Sequence, residues 1–359
     1  MNLKDEYNEA FVVDLAAKIY AKASSFNSIS FTKSILNTSW ENKELKERVR
    51  WISENINAHL QLPYQKQLVI LLEIAPNYRG LRGFIFPDFV QVFGLNDLKT
   101  SFTALELFTQ YSTAEFAIRP FIELYPKETI QQIIDWSLHK NQHLRRLASE
   151  GSRPRLPWAT PLRSFIHNPK PMLPILEQLI NDESEYVRKS VANHLNDISK
   201  NHPELVLQLA KKWHGNSKNS NWIIKHGLRT LLKKGNKKAL AIFDLDNSSE
   251  LSIENLHLSN NKIKIGDFIY FEFNIINHSD ITRNIRLEYK IDFVKANGST
   301  SKKVFQISEF YLKPKSLKFF KRKQSFKELT TRKHYSGQHK ISFYVNGDEK
   351  GNITFALVN

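Results

Sequence analysis

"SEYVRKSVANHLNDISK", Ser184 to Lys200, reads as one amphipathic helix with two distinct faces. Val187, Val191, Leu195 and Ile198 form an apolar stripe, while Lys189, Asn193 and Asp197 climb a separate ridge at i, i+4 and i+8. The opening of this helix, "YVRKSVAN", has counterparts on either side, "HLRRLASE" from His143 and "WIIKHGLR" from Trp222. Each sets an apolar anchor (Leu144, Val187 or Ile223) before basic and small residues, and each follows a more apolar helical segment. The anchors are 43 and 36 residues apart, within the range of two-helix HEAT-type repeats. Such pairs stack into a solenoid with an extended concave surface.

Helical periodicity extends outward over residues 1–245. "ELKERVRWISENINAHL" puts Leu45, Val49, Ile52 and Ile56 on one face, and Pro126 and Pro203 suit the first turns of later helices. Ser112 and Thr113 mark a helix break with an N-cap, which places Glu115 in an acidic first turn. From about Asn247 the period becomes two. In "IRLEYKIDFV", Ile285, Leu287, Tyr289, Ile291 and Phe293 alternate with Arg286, Glu288, Lys290 and Asp292. Similar short runs separated by "NHSD", "NGSTS" and "NGDEKG" predict antiparallel strands, each with one buried face. The expected architecture is therefore a HEAT-like α-helical solenoid over 1–245, followed by an immunoglobulin-like β-sandwich over 246–359.

The net charge of +16 favours a polyanionic partner, nucleic acid ahead of an anionic membrane surface. A lysine-rich composition shared with the rest of a proteome would produce the same number. About half of that charge lies beyond residue 247, where "KPKSLKFFKRKQSFK", Lys313 to Lys327, interleaves bases with aromatics. Lysines guarding a sheet edge and a DNA contact through Lys321, Arg322 and Lys323 are equally good readings of it. The absence of cysteine excludes disulfides, thiol nucleophiles and cysteine-held metal sites. The histidines form no ligand pattern, so no metal or other cofactor is expected. No apolar run reaches the ~18 residues of a membrane span, and no signal-peptide core opens the chain. A cytoplasmic monomer is expected.

"RRLASEGSRPRLPW", Arg145 to Trp158, poses an electrostatic problem. Gly151 is expected at the left-handed position that ends its helix, and Pro154 forbids continuation. Glu150 is then an anion at the negative end of the helix dipole. It is either a solvated helix end or the partner of a cation, with Arg146 and Arg153 at hand. Trp213 and Trp222 are expected in the core.

Taken in order, "FAIRPFI", "HLRRLASEGSRPRLPW", "SEYVRKSVANHLNDISK" and "WIIKHGLRTLLKKG" resemble the AlkC/AlkD alkylpurine DNA glycosylases over essentially the whole chain. The wording around Glu115 and the β-domain resemble the AlkC branch. The resemblance implies a bacterial enzyme, associated with the nucleoid when bound to DNA. It implies hydrolysis of the N-glycosidic bond of 3-methyladenine and 3-methylcytosine in duplex DNA, without base flipping. By motif it implies that Glu115, Glu150, Trp158 and Asp197 form the active site. That chemistry suits carboxylates. Glycoside cleavage builds an oxocarbenium-like sugar, which an anion stabilises while aligning water. An N3-alkylated base is already cationic and leaves without a dedicated acid. Arg146, Arg153, Arg155, Arg188, Lys189, Asn193 and Lys225 are candidates for contacts to DNA. A non-catalytic HEAT scaffold is the alternative, although three convergent carboxylates would weaken DNA binding. No Gly/Pro-rich hairpin supports a helix-hairpin-helix glycosylase.

Overall fold

The computed structural model describes residues 2–328 and 333–359. Its α-helices are α1 (Glu9–Tyr20), α2 (Ser28–Ile35), α3 (Leu45–Leu60), α4 (Tyr64–Ile74), α5 (Ile85–Phe93), α6 (Leu98–Phe108), α7 (Ile118–Leu124), α8 (Pro126–Ser137), α9 (Gln142–Gly151), α10 (Arg163–His167), α11 (Leu173–Leu179), α12 (Glu185–Ile198), α13 (Pro203–Trp213), α14 (Lys218–Gly227), α15 (Arg229–Lys233) and α16 (Lys237–Ala241). Local chemistry accounts for many of their starts. Asn8, Asn27, Asp97 and Asn141 accept hydrogen bonds from first-turn amides of α1, α2, α6 and α9. Pro126 and Pro203 open α8 and α13, where a missing N–H costs nothing.

The chain forms two compact units, Met1–His202 with Gly215–Gly227, and Pro203–His214 with Leu228–Asn359. In the first, the three related strings occupy α9, α12 and α14, which lie in a row with α12 touching both others. The expected stripe of α12 is buried throughout. Helix α11 packs against α8, α9 and α12 behind that row. Gly227 permits the approach of α14, since a Cβ there would meet the Leu195 Cβ at 3.0 Å.

The end of α9 differs from expectation. Gly151 is the last helical residue and lacks a left-handed φ. A Cβ at Gly151 would fall 2.5 Å from Ile118 Cγ2, so glycine is required there by the close packing of α7.

In the second unit the strands are β1 (Leu251–Leu258), β2 (Lys262–Lys264), β3 (Phe268–Asn277), β4 (Arg283–Val294), β5 (Thr300–Leu312), β6 (Ser316–Ser325), β7 (Gly337–Val345) and β8 (Asp348–Val358). They build a sheet in the order β1-β3-β6 and another in the order β2-β8-β7-β4-β5. The two face each other across Phe271 and Phe273 of β3 and Phe343 of β7, whose rings meet at 5.0–5.2 Å. Strand β4 corrects the one-faced reading. Arg286 and Glu288, expected outside, are also buried and pair at 2.7 Å, because residues 243–247 lie over this end of β4. There Asn284 donates to Phe243 O at 2.9 Å and Asn346 to Asn247 O at 3.0 Å; Lys290 and Asp292, farther along the same face, are only half-buried. The basic strand β6 is a sheet edge. Helices α15 and α16 pack with this unit, and Gly235 and Gly347 approach closely enough for the latter's Cβ to lie 2.7 Å from Leu240 Cδ1.

Candidate active site

Glu115 lies in the turn before α7, three residues short of its first turn. Thr113, expected to cap a helix, instead donates its hydroxyl to Glu115 Oε2 at 2.6 Å. Arg146 of α9 donates to the same oxygen and, at 2.8 Å, to Thr113 Oγ1. Its other nitrogen, Nη2, lies 3.7 Å from Glu150 Oε1. Arg153 follows. Its Nη1 donates to Glu150 Oε1 at 2.7 Å, while Nε and Nη2 each reach Asp197 Oδ2 at 2.9 Å. Lys200 closes the series, with Nζ 3.0 Å from Asp197 Oδ1.

Three carboxylates from α7's leading turn, α9 and α12 thus alternate with Arg146, Arg153 and Lys200. Glu115, Glu150 and Asp197 are all buried, an arrangement tolerated only because each is paired and hydrogen-bonded. Glu150 has cations as its partners, so its poor position on the helix dipole is offset by Arg153 and Arg146.

Burial opposes the charge of Arg146, but Glu115 and Glu150 outweigh it and hold its pKa above the ordinary arginine value. The Arg146 guanidinium also stacks 4.8 Å from the Tyr186 ring centre, and Tyr186 is still 43% exposed. Behind the carboxylates, His194 donates from Nδ1 to Ser149 O at 3.0 Å. Burial, reinforced by Arg153, lowers its pKa to about 3, so it is neutral near pH 7.

Trp158 is 62% exposed and has a φ of 64°, a left-handed backbone rare for a bulky residue. Such a backbone persists only where the surroundings over-determine it, and Lys46 of α3 donates to the Trp158 carbonyl.

The structure places the remaining candidates separately. Arg146 and Arg153, considered for phosphate contacts, direct their guanidinium groups at carboxylates. Arg155 donates to Asn201 Oδ1 at 3.1 Å, and Arg188 to the carbonyls of Asp182 and Glu183. Lys189 is exposed and paired with Glu185 at 2.7 Å. Asn193 and Lys225 are half-buried on α12 and α14. Trp213 is buried as expected. Trp222 is not in the core: it is 39% exposed and stacks on His226, four residues along the same helix. The sequence marks Thr113 only as a helix cap. Tyr186 and Lys200 stand in the quoted "SEYVRKSVANHLNDISK" string and Arg119 in "FAIRPFI", without roles assigned, since a spatial neighbour identifies each.

Among the described residues, no group of three or more His, Asp or Glu is placed to hold a metal ion, and no helix is long and apolar enough to cross a membrane.

Comparison with known proteins bears on this geometry. Residues 109–231, which carry every carboxylate of the cluster, match the family described as DNA alkylation repair enzyme. Residues 252–359 match the C-terminal Ig-like domain family of the uncharacterised protein YhaZ. The chain is 46% identical over 356 residues to the Bacillus subtilis (strain 168) protein of that name, covering 99% of each. It also aligns over the whole of both chains with the Pseudomonas fluorescens alkylpurine DNA glycosylase AlkC, solved bound to DNA containing an abasic site analogue. The TM-score is 0.97 and the identity 36%. With helical and Ig-like parts in the same order and no part of either chain left over, the protein belongs to the AlkC family of alkylpurine DNA glycosylases.

Proposed function

We propose that the protein is a DNA glycosylase that hydrolyses the N-glycosidic bond of cationic alkylated bases, 3-methyladenine and 3-methylcytosine, in duplex DNA without base flipping. The observation that carries this reading is the convergence of the buried Glu115, Glu150 and Asp197, linked through Arg146 and Arg153. As the bond breaks, its electron pair moves onto the positively charged base, which leaves neutral. The sugar becomes oxocarbenium-like, and a buried carboxylate stabilises it more strongly than solvent does. Water adds to the anomeric carbon and gives up a proton, with a carboxylate of the cluster as acceptor. Trp158 packs against the deoxyribose. Arg155, Arg188, Lys189, Asn193 and Lys225 meet the DNA backbone, while Arg146 and Arg153 hold the carboxylates. The enzyme acts as a cytoplasmic monomer at the nucleoid, with residues 1–245 a HEAT-like catalytic domain and 246–359 an Ig-like one.

The test is release of free bases from methylated duplex DNA, separated and quantified. The reading expects 3-methyladenine and 3-methylcytosine, with little 7-methylguanine because its bond is less labile. Efficient release of uracil or hypoxanthine would contradict it, since neutral lesions need a leaving-group acid that the mechanism does not provide.

A further inference from the structure

Residues Gly151 to Thr160 connect α9 to the segment before α10, largely without regular structure, and they carry both Arg153 and Trp158. Such a segment would ordinarily relax a left-handed tryptophan. The Trp158 conformation persists only if its surroundings over-determine it. Two cations from elsewhere in the first unit grip this backbone. Arg119, buried in the first turn of α7, donates from Nη1 to Gly151 O at 3.0 Å and Arg153 O at 2.8 Å. Its Nη2 donates to Thr160 O at 2.7 Å. One planar guanidinium therefore ties both ends of the segment together, which the single-point ammonium of lysine cannot do. From α3, Lys46 donates its Nζ to the carbonyl of Trp158 itself, and the same ammonium sits 4.1 Å from the Phe116 ring centre, next to Glu115.

We propose that Arg119 and Lys46 are positioning residues, which together hold Trp158 in the exposed, left-handed pose from which it packs against the damaged nucleotide. The inference rests on the assignment of Trp158 to the site. It also ties α3, outside the region that matches the DNA alkylation repair family, to the catalytic geometry.

The test compares Arg119→Lys and Lys46→Met, each alone and combined with Trp158→Ala. The readouts are single-turnover base release from methylated duplex DNA and acrylamide quenching of tryptophan fluorescence. Misplacement by about an ångström costs on the order of 100-fold in rate, so Arg119→Lys is expected to slow release by about 10- to 100-fold and Lys46→Met by a smaller factor. Each should also change the quenching assigned to Trp158 by difference from its Trp158→Ala counterpart. In the Trp158→Ala background neither should slow release by more than about twofold further, because the residue they act through is gone. Circular dichroism checks folding; if Arg119→Lys unfolds, the exposed Lys46 carries the test alone. A slow Trp158→Ala enzyme on which these losses remain additive, or unchanged quenching in the single variants, overturns the positioning role alone. Wild-type release by Trp158→Ala overturns the assignment of Trp158 and the inference with it.

Discussion

Replacing Asp197 by Asn isolates the charge at the centre of the proposed mechanism. The substitution keeps the shape of the side chain. Its amide oxygen can still accept from Arg153, whose Nε and Nη2 both stand 2.9 Å from Asp197 Oδ2. The amide nitrogen would face Lys200, but that side chain is 40% exposed and can turn to solvent. Fold and site geometry should survive. An anion meeting a sugar cation at about 4 Å, with an effective dielectric constant of about 20, contributes about 4 kcal/mol. That is roughly three decades of rate. Arg153 and Lys200 already offset part of the charge, so the expected loss is on the order of 10²–10³-fold. DNA affinity should hold or rise slightly, since removing one carboxylate makes the cluster more positive. Single-turnover release of methylated bases measures the first effect, and fluorescence anisotropy with a duplex measures the second. A variant within threefold of wild type in base release would refute the assignment and move the role to Glu115 or Glu150.

Three further outcomes are expected. Lys321, Arg322 and Lys323 project from the edge strand β6 and are all exposed. If they meet phosphates, changing all three to Gln should flatten the slope of log K against log salt by up to about 0.9 per lost contact, whereas an unchanged slope would leave them as guards of a sheet edge. Deleting residues 247–359 would be a poorer test, because it cuts through the compact unit that includes α13, α15 and α16. The buried His194, with its pKa lowered to about 3, stays neutral while the unfolded chain takes up a proton below about pH 6.5, so stability should fall with pH across that window. The slope rises from about 0.7 kcal/mol per pH unit at pH 6.5 towards about 1.4, a loss of about 1.7 kcal/mol between pH 6.5 and 5; urea unfolding should show that extra loss in wild type and not in His194→Gln, and equal losses would refute it. Finally, Gly151→Ala forces a Cβ to within 2.5 Å of Ile118 Cγ2, and should destabilise by about 1–3 kcal/mol through overpacking. An unchanged melting temperature would show that α7 can yield.

Periodicity carried the architecture because it records which face of each element leaves water. The buried stripe of α12 and the change from period 3.6 to period 2 are visible in any local window, and so is the family wording around Glu115, Glu150, Trp158 and Asp197. The cover over one end of β4 is not. A lone strand shows which residues alternate, and only the segment 243–247 packed across it decides that Arg286 and Glu288 are buried while Lys290 and Asp292 are half-exposed. Gly151 had the residue type of a left-handed helix end, and the approach of Ile118 gave it a different reason to be glycine.

What the sequence determined by itself was helix or strand, the order of the two parts, and the residue types at the candidate site. Tertiary structure decided the partners. Arg153 joins Glu150, three residues away, to Asp197, 44 residues away. Arg119 and Lys46 act on backbone carbonyls up to 41 and 112 residues distant, acceptors that every residue possesses and no motif can mark. Charges and hydrogen bonds depend on distance in space, and separation along the chain gives no measure of that distance until the helices have packed.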